Sequence, residues 1–126
     1  KRIKYNNTYK VSLSDYSAVI DGLRRAVQKG GTAEGSNIPS ISFGGKTGTV
    51  EKSNQPSHSL FVGMAPLNAP EIVVAVVVEN GGAGGETAAP MASLIAEKYL
   101  TGEISASRKE LEYELQHKNT LVWDEE

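Results

Sequence analysis

Lys46-Thr47-Gly48-Thr49 is the stretch of this chain whose residue types, in this order, could carry chemistry. An ammonium at Lys46 can stabilise negative charge and hold neighbouring hydroxyls in a network. The hydroxyls of Thr47 and Thr49 can donate to a substrate carboxylate. Gly48 has no Cβ, so an extended substrate can lie close against the backbone there. On an open sheet edge that substrate would pair as an added strand, and the Thr49 N–H could point into an oxyanion hole. One such donor is worth roughly 3–4 kcal/mol in serine proteases. These four residues therefore suit one wall of an acyl-transfer site. By itself, a Lys-Thr-Gly triplet also fits a lysine on an exposed turn.

Other candidates are weaker. Gly44-Gly45-Lys46-Thr47 approximates a phosphate-binding loop, but the first glycine of that pattern falls at Ser40. A helix should follow the threonine, and Gly48 with a β-like run follows instead, so nucleotide binding is not expected. His58 opens a strand with no visible catalytic partner and is expected to contact solvent or cap a loop. Residues 80–85 could cradle an anion through backbone N–H groups; a plain turn from strand to helix is the expected reading. Asn6-Asn7-Thr8 fits a glycosylation sequon. No cysteine is present, which excludes disulfides, thiolate metal sites and cysteine nucleophiles. His58 and His117 lie far apart in sequence, so a zinc cluster is not expected.

The elements that must position the tetrapeptide can be read from periodicity. Residues 15–29 carry Tyr16, Val19, Ile20, Leu23, Ala26 and Val27 at helical spacing. Ser12 or Ser14 can cap the start, Ser12 with Asp15 fitting a capping box, and Gly30-Gly31 stops the helix. Residues 32–39 read as loop. Ile41, Phe43 and residues 46–50 form a β-like run interrupted at Gly44 and Gly45. Residues 51–57 read as another loop, with Pro56 blocking a central strand. Residues 59–65 and 72–79 read as an antiparallel hairpin. Residues 72–78 are apolar throughout, which predicts cover on both faces of that strand. Thr87 is expected to cap a helix with Pro90 in its first turn, a buried stripe of Met91, Leu94, Ile95 and Tyr99, and Gly102 as its stop. A last helix is expected from Ser107, with Ser107 and Glu110 as capping box and Leu111 and Leu115 as its apolar stripe. Leu121, Val122 and Trp123 form a small apolar patch near the end.

The 126 residues amount to one domain at most. An apolar share of 39% with 13 glycines suits tight turns, or a piece whose faces are covered by chain outside it. A net charge of −2 offers no bulk attraction to nucleic acid. No apolar run reaches the length of a membrane span. The first residue is Lys1, not Met, as expected of an excised fragment.

Several segments together resemble the penicillin-binding proteins. Gly45-Lys46-Thr47-Gly48-Thr49-Val50-Glu51 is similar to the family's G-K-T-G-T-A-[QE] segment, whose K-T-G is its third signature. His58-Ser59-Leu60-Phe61-Val62-Gly63-Met64-Ala65-Pro66 resembles its H-x-x-F-x-G-[FM]-A-P strand. Glu79-Asn80-Gly81-Gly82-Ala83-Gly84 resembles the turn of penicillin-binding protein 2, the elongation-type class B enzyme. Gly31-Thr32-Ala33 matches the G-T-A after the preceding helix. Order and spacing hold over roughly residues 12–101.

The resemblance implies an α+β fold, with helices on the faces of an antiparallel sheet. It implies that residues 1–126 are the C-terminal part of a transpeptidase domain, with residues 103–126 a helical extension. The activity implied is a serine D,D-transpeptidase that cross-links peptidoglycan stem peptides and is acylated by β-lactams. Lys46, Thr47, Gly48 and Thr49 would be its catalytic strand, and Thr47 and Thr49 its substrate-binding hydroxyls. Family members work with a glycan polymerase at the periplasmic face of the inner membrane, and the resemblance implies no metal or organic cofactor. No S-x-x-K tetrad appears in these residues, and Ser14-Asp15-Tyr16 matches S-x-N only in its serine. The chain alone is therefore expected to be inactive. Because the first strand of the family's sheet is not among its residues, it is also expected to expose a sheet edge or apolar face and to self-associate. Two alternatives share the motif: a penicillin-sensing receptor domain, and a non-catalytic binding module with a relic K-T-G strand.

Overall fold

The computed structural model describes residues 10–119. The sequon at Asn6-Asn7-Thr8 and the apolar patch at Leu121, Val122 and Trp123 lie outside the described residues. Helix α1 (Leu13–Val27) is followed by a 3₁₀ turn (Glu34–Ser36), then strands β1 (Gly44–Lys52), β2 (Gln55–Ala65) and β3 (Ile72–Val78). Helix α2 (Ala88–Thr101), a second 3₁₀ turn (Ala106–Arg108) and helix α3 (Lys109–His117) complete the order. Among the described residues the strands form one antiparallel sheet in the order β1-β2-β3, with β1 and β3 at its two edges.

Helix α1 starts where the capping box places it. The Asp15 N–H donates to Ser12 Oγ at 3.1 Å, and Ser12 Oγ donates back to the Asp15 carboxylate. It ends at Val27, two residues short of the predicted limit, with Gln28 already extended and Gly30 at φ +82°. Only Ile20 and Val27 of the expected stripe are buried; Tyr16 and Val19 stand exposed. The helix meets β1 along one narrow line, and a Cβ at Gly44 would fall 2.6 Å from the Leu23 carbonyl oxygen. Glycine there lets helix and strand approach backbone to backbone.

Two loop expectations are corrected. Gly44 and Gly45 do not interrupt β1 but open it. Residues 51–57 are not a loop: β1 runs to Lys52, a two-residue Ser53-Asn54 turn follows, and β2 starts at Gln55. Asn54 takes φ 59°, a left-handed conformation that asparagine tolerates, and this closes a tight hairpin. Pro56 is accommodated because the register slips between Val50 and Lys52, at the irregular end of the ladder.

The core lies between one face of the sheet and α2. Phe43 and Phe61 meet with ring centroids 5.8 Å apart, and Ala65, Val74, Val27 and Ile38 surround them. Helix α2 packs onto this layer through Ala88, Ala89, Ala92 and Ala96, all at 0% exposure. The predicted stripe of Met91, Leu94, Ile95 and Tyr99 is therefore not the one that faces the sheet. Ile95 and Tyr99 are exposed, and all four line a groove with Ile104 and Leu115. Small side chains win the sheet-facing positions because they let the helix axis come closer than leucine-sized ones would. The cover expected on both faces of β3 is also corrected. Val74 is buried, but on the opposite face Val73 and Val77 are 63% and 66% exposed, and Val62 of β2 is 52% exposed.

Beyond α2 the chain is fastened by a buried ion pair. Gly102, at φ +86°, ends the helix. Arg108 Nη1 then donates to Glu97 Oε2 at 2.7 Å, Arg108 Nη2 donates to Ser93 Oγ, and the Ser105 N–H donates to Glu97 Oε1 at 3.2 Å. Arg108 occupies the start of α3, so the expected Ser107–Glu110 capping box does not form; the ion pair places that end instead. Burial opposes ionisation of Glu97. Hydrogen bonds from Ser105 and Arg108, with the Arg108 charge, outweigh it and hold the carboxyl below the ordinary glutamate range.

A group with a lowered folded pKa stabilises above its unfolded pKa, and the contribution is lost as pH falls through the folded value. Arg108→Met, which leaves the Glu97 carboxylate buried and unpaired, should cost about 3–5 kcal/mol in urea unfolding at neutral pH. Glu97→Gln should flatten the acid side of the stability profile of this chain. An unchanged acid limb would show that the pair is not what that limb reports.

Candidate functional site

The Lys46-Thr47-Gly48-Thr49 stretch lies within β1, an edge strand hydrogen-bonded to β2 on one side. Lys46 pairs with Val62, Thr47 with Phe61, Gly48 with Leu60 and Thr49 with Ser59. Alternation therefore sends Lys46 to the face that carries the exposed valines, and Thr47 and Thr49 to the face that carries α2. Lys46 is exposed, and its Nζ donates to the Thr47 carbonyl oxygen at 2.8 Å. Continuation of β1 to Lys52 removes the geometry of a phosphate-binding loop, which needs a helix after the threonine.

Both hydroxyls are held by segments remote in sequence. Thr47 Oγ1 donates to Thr32 Oγ1 at 3.1 Å, and the Gly84 N–H donates to Thr49 Oγ1 at 3.3 Å. Gly84 belongs to the glycine-rich turn between β3 and α2. This is the strand-to-helix turn expected from the sequence, and it lies directly on β1 and β2. A Cβ at Gly84 would fall 2.4 Å from the Gly48 carbonyl oxygen and 2.5 Å from that of Leu60. Glycine at 84 is what allows the turn to touch β1.

Side chains of three residues, Ser59, Thr87 and His58, anchor the turn. Ser59 Oγ, fully buried, donates to the Ala83 carbonyl at 3.0 Å and accepts the Ala88 N–H at 3.0 Å. Ser59 thus caps α2 from the sheet. Thr87 holds the cap position without capping; its hydroxyl donates to the Gly81 carbonyl at 2.6 Å, which corrects the expected role. His58 Nδ1 accepts the Asn80 N–H at 3.0 Å, so it caps the loop, as anticipated. Periodicity gave no role to Ser59 or Thr32. The one signal for Thr32 was its place in Gly31-Thr32-Ala33. Among the described residues, no three His, Cys, Asp or Glu side chains gather as metal ligands.

The family model for the penicillin binding protein transpeptidase domain matches residues 2–97, a span that includes this strand and the glycine turn over it. The chain belongs to that family. Within it, the likeness is to class B proteins of the PBP2 type. It is 34% identical over 102 residues to the peptidoglycan D,D-transpeptidase MrdA of Acinetobacter baumannii, covering 69% of this chain and 14% of the relative. The structure of Pseudomonas aeruginosa PBP2 in complex with WCK 5153 superposes with a TM-score of 0.64 at 31% identity, over 84% of this chain and 26% of the other. Penicillin-binding protein A from M. tuberculosis, solved as an imipenem acyl-enzyme complex, gives 0.55 at 29% identity, over 72% and 20%. The fold is thus the transpeptidase's: a three-stranded antiparallel sheet with packed helices. The chain spans between 14% and 16% of the length of the curated relatives it matches.

Contact between the turn and the strand is open to a direct check. Gly84→Ala should lower the unfolding free energy of this chain by about 1–3 kcal/mol, because the added methyl meets backbone that cannot swing away. Gly35→Ala, where a Cβ meets nothing within 4 Å, should stay within about 0.5 kcal/mol of the parent. Equal effects of the two substitutions in thermal or urea unfolding would contradict the packing described.

Proposed function

We propose that this chain forms the Lys-Thr-Gly wall of the active site of a peptidoglycan D,D-transpeptidase. In that reaction a serine hydroxyl attacks the carbonyl of the penultimate D-alanine of a stem peptide. The terminal D-alanine leaves with a proton, and an amine of a second stem peptide then displaces the serine ester. β-Lactams acylate the same serine. No S-x-x-K tetrad occurs in this chain, so the nucleophile and its lysine would come from other polypeptide of the complete enzyme.

The observation that carries this reading is the open edge of β1, with Lys46 on one face and two restrained hydroxyls on the other. Lys46 would stabilise negative charge beside the nucleophile. Thr47 and Thr49 would donate to the carboxylate of the stem peptide or β-lactam. Gly48 lets that ligand lie against the strand, and the Thr49 N–H would serve the oxyanion hole. No helix among the described residues is long and apolar enough to cross a membrane. The envelope location proposed, at the periplasmic face of the inner membrane beside a glycan polymerase, follows the MrdA likeness. The exposed Val62, Val73 and Val77, with the free edge of β3 beside them, support a further proposal: this chain alone self-associates through its sheet.

Fluorescent penicillin should leave no label that survives denaturation on this chain alone. The complete enzyme should be labelled, and Lys46→Ala within it should slow acylation on the order of a hundredfold or more. Undiminished labelling of that variant would overturn the assignment of β1. In light scattering, the apparent mass of this chain should rise with concentration; a monomer at every concentration would refute self-association.

A further inference from the structure

Thr32 sits where three remote segments meet. It follows the end of α1, between Gly31, whose N–H donates to the Gln28 carbonyl at 2.8 Å, and buried Ala33, whose N–H donates to the Ala26 carbonyl at 2.8 Å. From the other side the turn before α2 presses on it, since a Cβ at Gly85 would lie 1.8 Å from the Thr32 carbonyl oxygen. Its backbone is thus held from before, after and above, and its hydroxyl stands 3.1 Å from Thr47 Oγ1.

The hydroxyl bookkeeping gives that contact a consequence. A threonine hydroxyl has one proton to donate and two lone pairs to accept with. Thr49 Oγ1 already accepts the Gly84 N–H, so its own proton is available to a ligand. Thr47 is arranged differently, because here its proton is directed at Thr32. A carboxylate only accepts. For Thr47 to donate to one, its proton must turn away from Thr32, and the Thr32 proton must then turn toward Thr47. The result is a chain from the Thr32 hydroxyl to Thr47 Oγ1 and from the Thr47 hydroxyl to the carboxylate. Each bond in such a chain polarises the next, and the last is charge-assisted.

We propose that Thr32 is a positioning residue for the ligand's carboxylate: its hydroxyl supplies the hydrogen bond that Thr47 accepts while donating its own proton to the ligand. This rests on the reading of residues 46–49 as a carboxylate-holding strand. The chain explains why a hydroxyl residue, and not only a small one, stands at position 32. It assigns Thr47 and Thr49 separate supports, one from the loop after α1 and one from the turn before α2.

The test measures second-order acylation rates of the complete enzyme, comparing a β-lactam bearing a free carboxylate with its methyl ester. Thr32→Val, which keeps the shape and removes the hydroxyl, should slow reaction with the free acid about tenfold. The loss should appear in binding of the β-lactam, with the acylation step unchanged, and the ester should be affected by less than about twofold. Thr32→Ser should restore the rate with the free acid. If the valine variant does not fold, Thr32→Ala carries the same comparison. Equal losses with acid and ester would mark Thr32 as structural only, and no loss with the acid would also overturn the proposal. A parent enzyme acylated by neither compound would overturn the transpeptidase reading itself, and the role of Thr32 with it.

Discussion

The hydroxyl of Ser59 joins the two layers of this molecule. It is fully buried, sits opposite Thr49 in the β1–β2 ladder, and bonds both the Ala83 carbonyl and the Ala88 N–H. The first N–H groups of a helix have no partner within the helix. Here the sheet provides one, so the start of α2 is tied to the strand that lies beside the site. From that tie follow the height of the helix over the sheet, the seat of the glycine turn on Gly48 and Leu60, and the contact of Gly84 with Thr49.

The alanine face of α2 belongs to the same constraint. With its first turn held at Ser59, the helix must run close to the sheet, and Ala88, Ala89, Ala92 and Ala96 are the residues that permit it. Phe43 and Phe61 then fill the space that small helix residues leave below them. Large aromatic side chains, Phe43 just before β1 and Phe61 within β2, thus meet small ones from the helix, as close packing of an interior requires. The large residues of α2 are turned outward, into the groove shared with Ile104 and Leu115.

Positions around β1 divide by purpose. Lys46 and Gly48 share a face with the exposed valines, where the strand is open. Thr47 and Thr49 share the face on which α2 is docked, and each is steadied by a different loop. Among the described residues the strand is thus supported on one face and at one edge and open at the other edge, as the proposed carboxylate-holding role requires. The Glu97–Arg108 pair fastens the segment after α2, and α3 packs against that helix.

Local chemistry determined much on its own. The Ser12–Asp15 cap, the stop at Gly30, the hairpin of β2 and β3 and the Lys-Thr-Gly strand follow from near neighbours or from short motifs, so the sequence alone displays them. Partner identity is different. Which face of α2 is buried, that Ser59 and not Thr87 caps it, that Arg108 finds Glu97, and that Thr32 reaches Thr47 were decided only in three dimensions. Each depends on segments between 11 and 29 residues apart meeting across the fold. Hydrophobic periodicity could not reveal them, because it records how apolar a residue is, whereas α2 was seated by how small its residues are and where a hydroxyl from the sheet awaited its first turn.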